Sequence, residues 1–190
     1  MNSKKTQIVD AARTVLARDG GGQFSMRQVA TEAAMSLGNL QYHFNKKTDL
    51  VEGVLSSYIQ HYQIKVIEFI ALEARGYQGL KQFIRLALVE ESAEEDERTF
   101  IALDFLTLED GMEAQRRCFY QALLDLFETT LATIVDQPCA AGQSHRAACF
   151  LLTYIEGFGR TQPLLALDID ETTELLTVAL SHMLSLSNED

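Results

Sequence analysis

Apolar residues return at helical spacing through nearly all of the 190-residue chain. Ile8, Ala11, Ala12, Val15 and Leu16 form one stripe, which Gly20, Gly21 and Gly22 bring to an end. Ser25 with Gln28 three residues on reads as a capping box opening a short helix, with Met26, Val29, Ala30 and Ala33 inward. Ser36 caps a third helix carrying Leu37, Leu40 and Phe44 inward. A long fourth helix starts at about 46 and carries Leu50, Val51, Val54, Leu55, Tyr58, Ile59, Tyr62, Val66 and Phe69. Gly76 and Gly79 bracket a break. Amphipathic stretches follow at about 78–91, 95–108, 112–135, 144–162 and 171–186, with Gln137-Pro138, Gly142 and Pro163 separating the last three. No two-residue alternation and no internal repeat competes. The pattern predicts an all-α chain of about nine helices: a three-helix head at 1–50, a connecting helix from about 46, and a helical body at 51–190.

Charge divides along the same line. The chain holds 16 Lys and Arg against 27 Asp and Glu, a net charge of −11. That excludes a basic coat for nucleic acid over the whole surface. Yet residues 1–50 hold seven basic side chains (Lys4, Lys5, Arg13, Arg18, Arg27, Lys46, Lys47) and only four acidic ones, a balance of +3 that leaves −14 for the rest. A basic head on an acidic body fits a nucleic-acid-binding piece. The acidic run from Glu90 to Glu97 reads as a solvated helix end or loop.

Hydrophobic residues make up 47% and charged ones 23%, the balance of a globular chain. No apolar stretch is expected to approach the length of a bilayer span, so no membrane partner is expected. Three cysteines (Cys118, Cys139, Cys149), with no C-x-x-C pair and no basic-then-apolar leader, fit a reducing cytoplasm. His145 and Cys149 lie four residues apart with Cys139 nearby, but the spacing matches no standard metal site. Cys149, inside the apolar run ACFLLTYI, reads as a small hydrophobe. No metal and no cofactor is expected.

The chemistry concentrates in the head. Short helices at 25–33 and 36–44, joined by a tight turn, have helix-turn-helix dimensions. The second turns Asn39, Gln41, Tyr42 and His43 outward: Asn and Gln bind adenine edges, while Tyr and His reach phosphates. Gly38 leaves room for close backbone approach. Lys4 and Lys5 precede the first helix, and Lys46 and Lys47 open the fourth. Cations at helix starts oppose the macrodipole, whereas a phosphate there is attracted by both lysines and backbone N–H groups. Arg27, near the start of the second helix, suits the same use.

Residues 25–50, SMRQVATEAAMSLGNLQYHFNKKTDL, resemble the DNA-binding signature of the TetR (tetracycline repressor) family of bacterial regulators. The signature elements are the capped helix ending in Val29-Ala30, the Ser-x-Gly opening of the recognition helix, His43-Phe44, and Lys47 three residues before Leu50. Three positions depart from the family pattern: Ala34 where the turn usually has Gly, Gln41 in place of Tyr with Tyr42 one step on, and Gly21 where an apolar residue usually follows the first helix. The resemblance implies a homodimer with one reading head per subunit, bound to a double-stranded operator. It assigns DNA contact to Lys5, Ser25, Arg27, Ser36, Gly38, Asn39, Gln41, Tyr42, His43, Lys46 and Lys47.

The resemblance also implies pairing through the last two helices and a small-molecule effector bound within the body. The stretch Ala147–Phe158 is apolar on nearly every side, and the last helix has a wide apolar face, so both are buried in a core or against another subunit. Leu151, Leu152, Ile155, Leu176, Leu180 and Met183 are the interface candidates. Tyr62, Phe69, Phe100, Phe105, Cys118, Phe119, Tyr154 and Phe158 are candidates for a pocket suited to a hydrophobic ligand. Two other readings stand beside the repressor. One is a protein-interaction scaffold of the same fold that binds a protein partner and has lost specific operator binding. The other is an all-α enzyme, for which the chain offers no phosphate loop, no H-E-x-x-H and no G-x-S-x-G.

Overall fold

The computed structural model describes residues 3–91, 94–108, 111–135 and 142–186, apart from the side chains at 3, 90, 91, 94–97, 100 and 163. Among the described residues there are nine α-helices and no strand: α1 (Ser3–Asp19), α2 (Met26–Glu32), α3 (Leu37–His43), α4 (Lys47–Ile70), α5 (Gly76–Glu91), α6 (Glu94–Thr107), α7 (Glu113–Val135), α8 (Gln143–Leu165) and α9 (Ile169–Leu184). A 3-10 turn, Gly21–Gln23, follows α1. The all-α expectation holds. The Gln137-Pro138 turn and Cys139 lie outside the described residues.

The chain divides into two compact units. The first comprises residues 1–61 and 94–120. In it α1 packs on α2, α3 and α6, and the 3-10 turn packs on α6. Ile8, Val15, Leu16, Val29, Leu40, Leu50, Val51 and Val54 are its fully buried centre. These are the positions that helical spacing points inward. Gly21 is buried, and a Cβ there would meet the Ala102 carbonyl oxygen at 2.3 Å. The apolar residue expected at that position has no room: the turn lies with its backbone against α6.

The second unit comprises residues 62–93 and 121–190. There α5 packs on α8 and α9, and α8 on α9. Phe83 lies between Phe69 and Phe127, with ring centroids 5.6 and 5.5 Å away, inside a core of Leu80, Ile84, Leu88, Leu131, Leu151, Leu176 and Leu180. Along the α5–α9 seam, Lys81 pairs with Glu174, and Arg85 with Asp170 at 3.0 Å. The hydrogen bond to Glu174 raises the Lys81 pKa. These pairs are exposed, so they contribute little beside the apolar packing.

Three expectations about boundaries change. Gly79 does not break a helix but lies inside α5, where a Cβ would come within 2.7 Å of the Ala74 carbonyl group. α8 runs through Pro163 to Leu165 and ends at Ala166, which adopts a left-handed φ of 48°. A proline inside a helix removes one backbone donor, yet the helix continues for two residues beyond it. Finally, α7, 23 residues long, is apolar enough to cross a bilayer by length and composition, contrary to the expectation that no stretch comes near. Its apolar side is turned inward in this fold: Phe119, Leu123, Phe127, Leu131 and Ile134 are buried, while Asp125 is exposed.

Candidate nucleic-acid interface

The two short head helices are set by local hydrogen bonds. The Ser25 hydroxyl accepts from the Gln28 N–H at 3.4 Å and donates to the Gln28 side-chain oxygen at 2.7 Å. The Ser36 hydroxyl accepts from the Asn39 N–H at 3.2 Å. Each serine therefore satisfies a donor at the start of its helix, the work of an N-cap. Between them α2 ends in a tight left-handed turn. Ala34 has φ 52°, its N–H donates to the Thr31 carbonyl at 3.1 Å, and the Met35 N–H donates to the Ala30 carbonyl at 2.9 Å. These are the two bonds of a Schellman motif, in which the left-handed residue is usually Gly. Ala34 thus adopts the conformation a glycine there would have, and the turn is kept. The Gln7 side-chain amide adds a third tie, donating to the Ala33 carbonyl at 3.0 Å.

With the turn fixed, Leu40 and Phe44 are buried and α3 faces outward with Gly38, Asn39, Gln41 and Tyr42. Tyr42 is 85% exposed. His43 is half-buried, its ring edge-on to Tyr42 with centroids 5.2 Å apart. Around Gly38 nothing lies within 4 Å of where a Cβ would be. The fold therefore does not require glycine at this helical position, where it costs stability relative to alanine.

The head's cations differ in what holds them. Arg18 is bound to carboxylates, Asp19 at 2.8 Å and Glu32 at 2.6 Å, linking α1 to α2. Its hydrogen bonds to Asp19 and then Glu32 raise its pKa, and the hydrogen bond from Arg18 holds the Asp19 carboxyl below its usual value. The Asp19 contribution is therefore present above the ordinary carboxylate range and lost as pH falls through the lowered value. The Lys5 ammonium lies over the Phe44 ring at 5.6 Å, and that of Lys47 over the Phe24 ring at 5.9 Å. An aromatic face positions a cation without cancelling its charge. Lys4 donates to the Gln7 side-chain oxygen at 3.2 Å, and Arg27 and Lys46 are exposed.

A further acidic group stands at the start of α4. The Asp49 carboxylate accepts from the Lys46 backbone N–H at 3.2 Å, so the α4 terminus carries its own anion. Sequence spacing draws attention to the lysines at this helix start and overlooks Asp49, although its place three residues after Lys46 is the capping-box register.

The arrangement is a helix-turn-helix with a polar outward face on the second helix, flanked by cations seated on aromatic rings. Residues 8–54 match the model of the bacterial regulatory proteins of the tetR family. Residues 8–54 are a TetR-family DNA-binding domain. Over 98% of its length it is 27% identical to an uncharacterized HTH-type transcriptional regulator in the dhlA 5′ region of Xanthobacter autotrophicus, 93% of which is covered. Among solved structures, a TetR-family regulator from a Rhodococcus species covers 97% of the chain, with 100% of its own length covered, at TM-score 0.77 and 16% identity. The multidrug-binding protein EbrR, complexed with imidazole, covers all of both chains at TM-score 0.74 and 20% identity. FadR from Bacillus subtilis, complexed with stearoyl-CoA, covers 92% of this chain and 96% of its own at TM-score 0.71 and 15% identity. The head is accordingly a DNA-binding domain of the TetR type, and the chain as a whole shares the fold of these solved regulators.

Of the two settings that periodicity allows for the apolar faces of α8 and α9, a core or another subunit, the protomer itself supplies the first for most of the interface candidates. Leu151, Ile155, Leu176 and Leu180 are buried in the second unit's own core, with Leu152 and Met183 packed against it. The large apolar side chains that α8 and α9 turn outward are Phe150, Tyr154, Leu164, Leu165, Leu175 and Val178. Of the pocket candidates, Phe69 and Phe158 are core residues of the second unit and Phe119 is buried in the first. Tyr154 stacks on Phe158 with centroids 6.4 Å apart, Tyr62 is half-buried, and Phe105 and Cys118 are exposed. The Phe100 side chain lies outside the described residues. The first unit has an open cavity of about 290 Å³ lined by Asp10, Arg13, Thr14, Ala17 and Thr99, none of them a predicted pocket residue.

Proposed function

We propose that this regulator is a cytoplasmic homodimeric repressor that holds a pseudo-palindromic operator and is released by a small-molecule effector. The observation that carries the DNA-reading part is Gly38. It stands on the exposed face of α3 with open space around it, and no packing inside the chain calls for it. A groove floor approaching the start of α3 would. Asn39, Gln41 and Tyr42 beside it offer hydrogen bonds to base edges and phosphates, and Lys5 and Lys47 offer positioned charge.

The dimer reading rests on the outward Phe150 and Tyr154 of α8 and Leu175 and Val178 of α9, large apolar side chains that water solvates poorly. Two heads on a two-fold axis fit half-sites about 34 Å apart, one helical turn of DNA. The effector reading is supported by the ligands in similarly folded proteins, imidazole in EbrR and stearoyl-CoA in FadR. A ligand that favours one head spacing shifts the population toward it, and a spacing that misses the operator releases the DNA.

The test is a gel shift on duplexes from the region upstream of the protein's own coding sequence, repeated across salt. One duplex should be held far more tightly than the rest, with an affinity that falls steeply as salt rises. Gln41→Ala should relax preference at a few base pairs while leaving the salt slope in place. Equal, weak binding to every duplex would remove specific repression from consideration.

A further inference from the structure

His145 and Cys149 lie one turn apart on α8, and the fold brings Glu128 of α7 to the same place. All three belong to the second unit. The His145 Nδ1 is 2.9 Å from the Glu128 carboxylate, and its Nε2 is 3.6 Å from the Cys149 sulfur. The side chains of His145 and Glu128 are 50% and 40% exposed, and Cys149 is half-buried, so the cluster opens to solvent.

The carboxylate decides the tautomer. Its oxygens accept, so in a neutral ring the arrangement places the proton on Nδ1 and turns the Nε2 lone pair to the thiol. A thiol hydrogen-bonded to a base, with the base oriented by a third group, is the arrangement that activates a nucleophile. The two partners occupy opposite edges of one ring, which leaves no ring lone pair for a metal.

We propose that Cys149 is a nucleophilic thiol that forms a covalent thioether with a soft carbon electrophile, an alkene conjugated to a carbonyl, with His145 as its base and Glu128 as the residue that positions His145. In the step, the thiol proton passes to His145 Nε2 and sulfur bonds to the β-carbon. The alkene pair moves toward the carbonyl, and the α-carbon takes that proton back from Nε2. The product is a neutral thioether, and nothing is oxidised or reduced. While it holds the proton, the imidazolium lies between thiolate and carboxylate, with an anion on each side. The inference stands apart from the DNA-binding reading, since it concerns the second unit alone.

Cys118 supplies an internal standard: it is exposed, and no ring or carboxylate partner is described for it. The experiment treats the full-length native chain with N-ethylmaleimide and follows each cysteine peptide by mass spectrometry over time. Cys149, although less exposed, should react at least about ten-fold faster than Cys118, a threshold set below the roughly 10²-fold lower end of what a positioned base contributes because burial works against it. In urea the two rates should converge. His145→Gln should bring Cys149 to the Cys118 rate or below without altering Cys118, and Glu128→Gln should slow Cys149 by less. Native Cys149 reacting no faster than Cys118 overturns the proposal, as does a fast rate that survives His145→Gln. If a variant fails to fold, the native comparison within one wild-type molecule still decides.

Discussion

α3 and α8 each turn a face outward, and the two faces have opposite chemistry. α3 presents Gly38, Asn39, Gln41 and Tyr42, while α8 presents Phe150 and Tyr154, and α9 presents Leu175 and Val178. A polar face is stable in water without a partner, so its function lies in what its groups match. An apolar face of several large side chains is unfavourable in water, so a covering surface is its natural state. Both helices follow the same spacing rule in sequence. What separates them is which residues remain outside after each unit has filled its own core.

The sharpest way to break that contrast is a pair of substitutions two residues apart on α9. Leu180 is 0% exposed, and Val178 is 49% exposed. Leu180→Ala should cost about 2–5 kcal/mol in urea unfolding, the range for a leucine cavity, because it empties the protomer's own core. Val178→Glu should leave secondary structure intact and turn dimer into monomer in sedimentation velocity, because it charges the apolar face. If Val178→Glu remains dimeric at micromolar concentration, the outward face of α8 and α9 is not the seam.

How much of this was legible follows from how local each cause is. The caps at Ser25 and Ser36 act three residues ahead, so the head helices stand in the sequence almost complete. The face of α8 is different. Leu151 and Ile155 share their stripe with the core, Phe150 and Tyr154 lie a third of a turn or less away, and a helix apolar on most sides does not disclose which side its own unit covers. Long-range partners are hidden for the same reason. Nothing near Arg18 announces Glu32, and nothing near His145 announces Glu128, because each pairing depends on how two helices pack. Gly79 and Gly21 read as breaks or departures, since a backbone brought against a glycine leaves no mark in the chain.

Within the head, Gly38→Ala separates folding from recognition. An alanine gains helix propensity and meets no atom of the protein, so the chain should become more stable by about 0.5–1 kcal/mol. Operator affinity should fall about ten-fold, one unfavourable contact of roughly 1.4 kcal/mol, if a DNA surface lies against that backbone. Thermal unfolding and gel shift on the same preparation read the two signs. A stabilised variant with unchanged affinity would mean that the start of α3 does not approach the groove.

Ala34→Gly gives the smallest effect and the cleanest control, because it alters the turn without altering what α3 presents. The left-handed φ of 52° costs an L-residue about 1–2 kcal/mol, which glycine escapes. Glycine also loses more backbone freedom on folding, which returns about 0.4–1 kcal/mol of that gain. The difference should appear as about 0.5–1 kcal/mol of added stability in urea unfolding. Operator affinity should stay within about two-fold, a change of some 0.4 kcal/mol, since the Schellman bonds already hold the turn in the shape glycine would adopt. A larger change in affinity would show that the angle between α2 and α3 had been under strain at Ala34, and that the recognition helix sits differently once the strain is relieved.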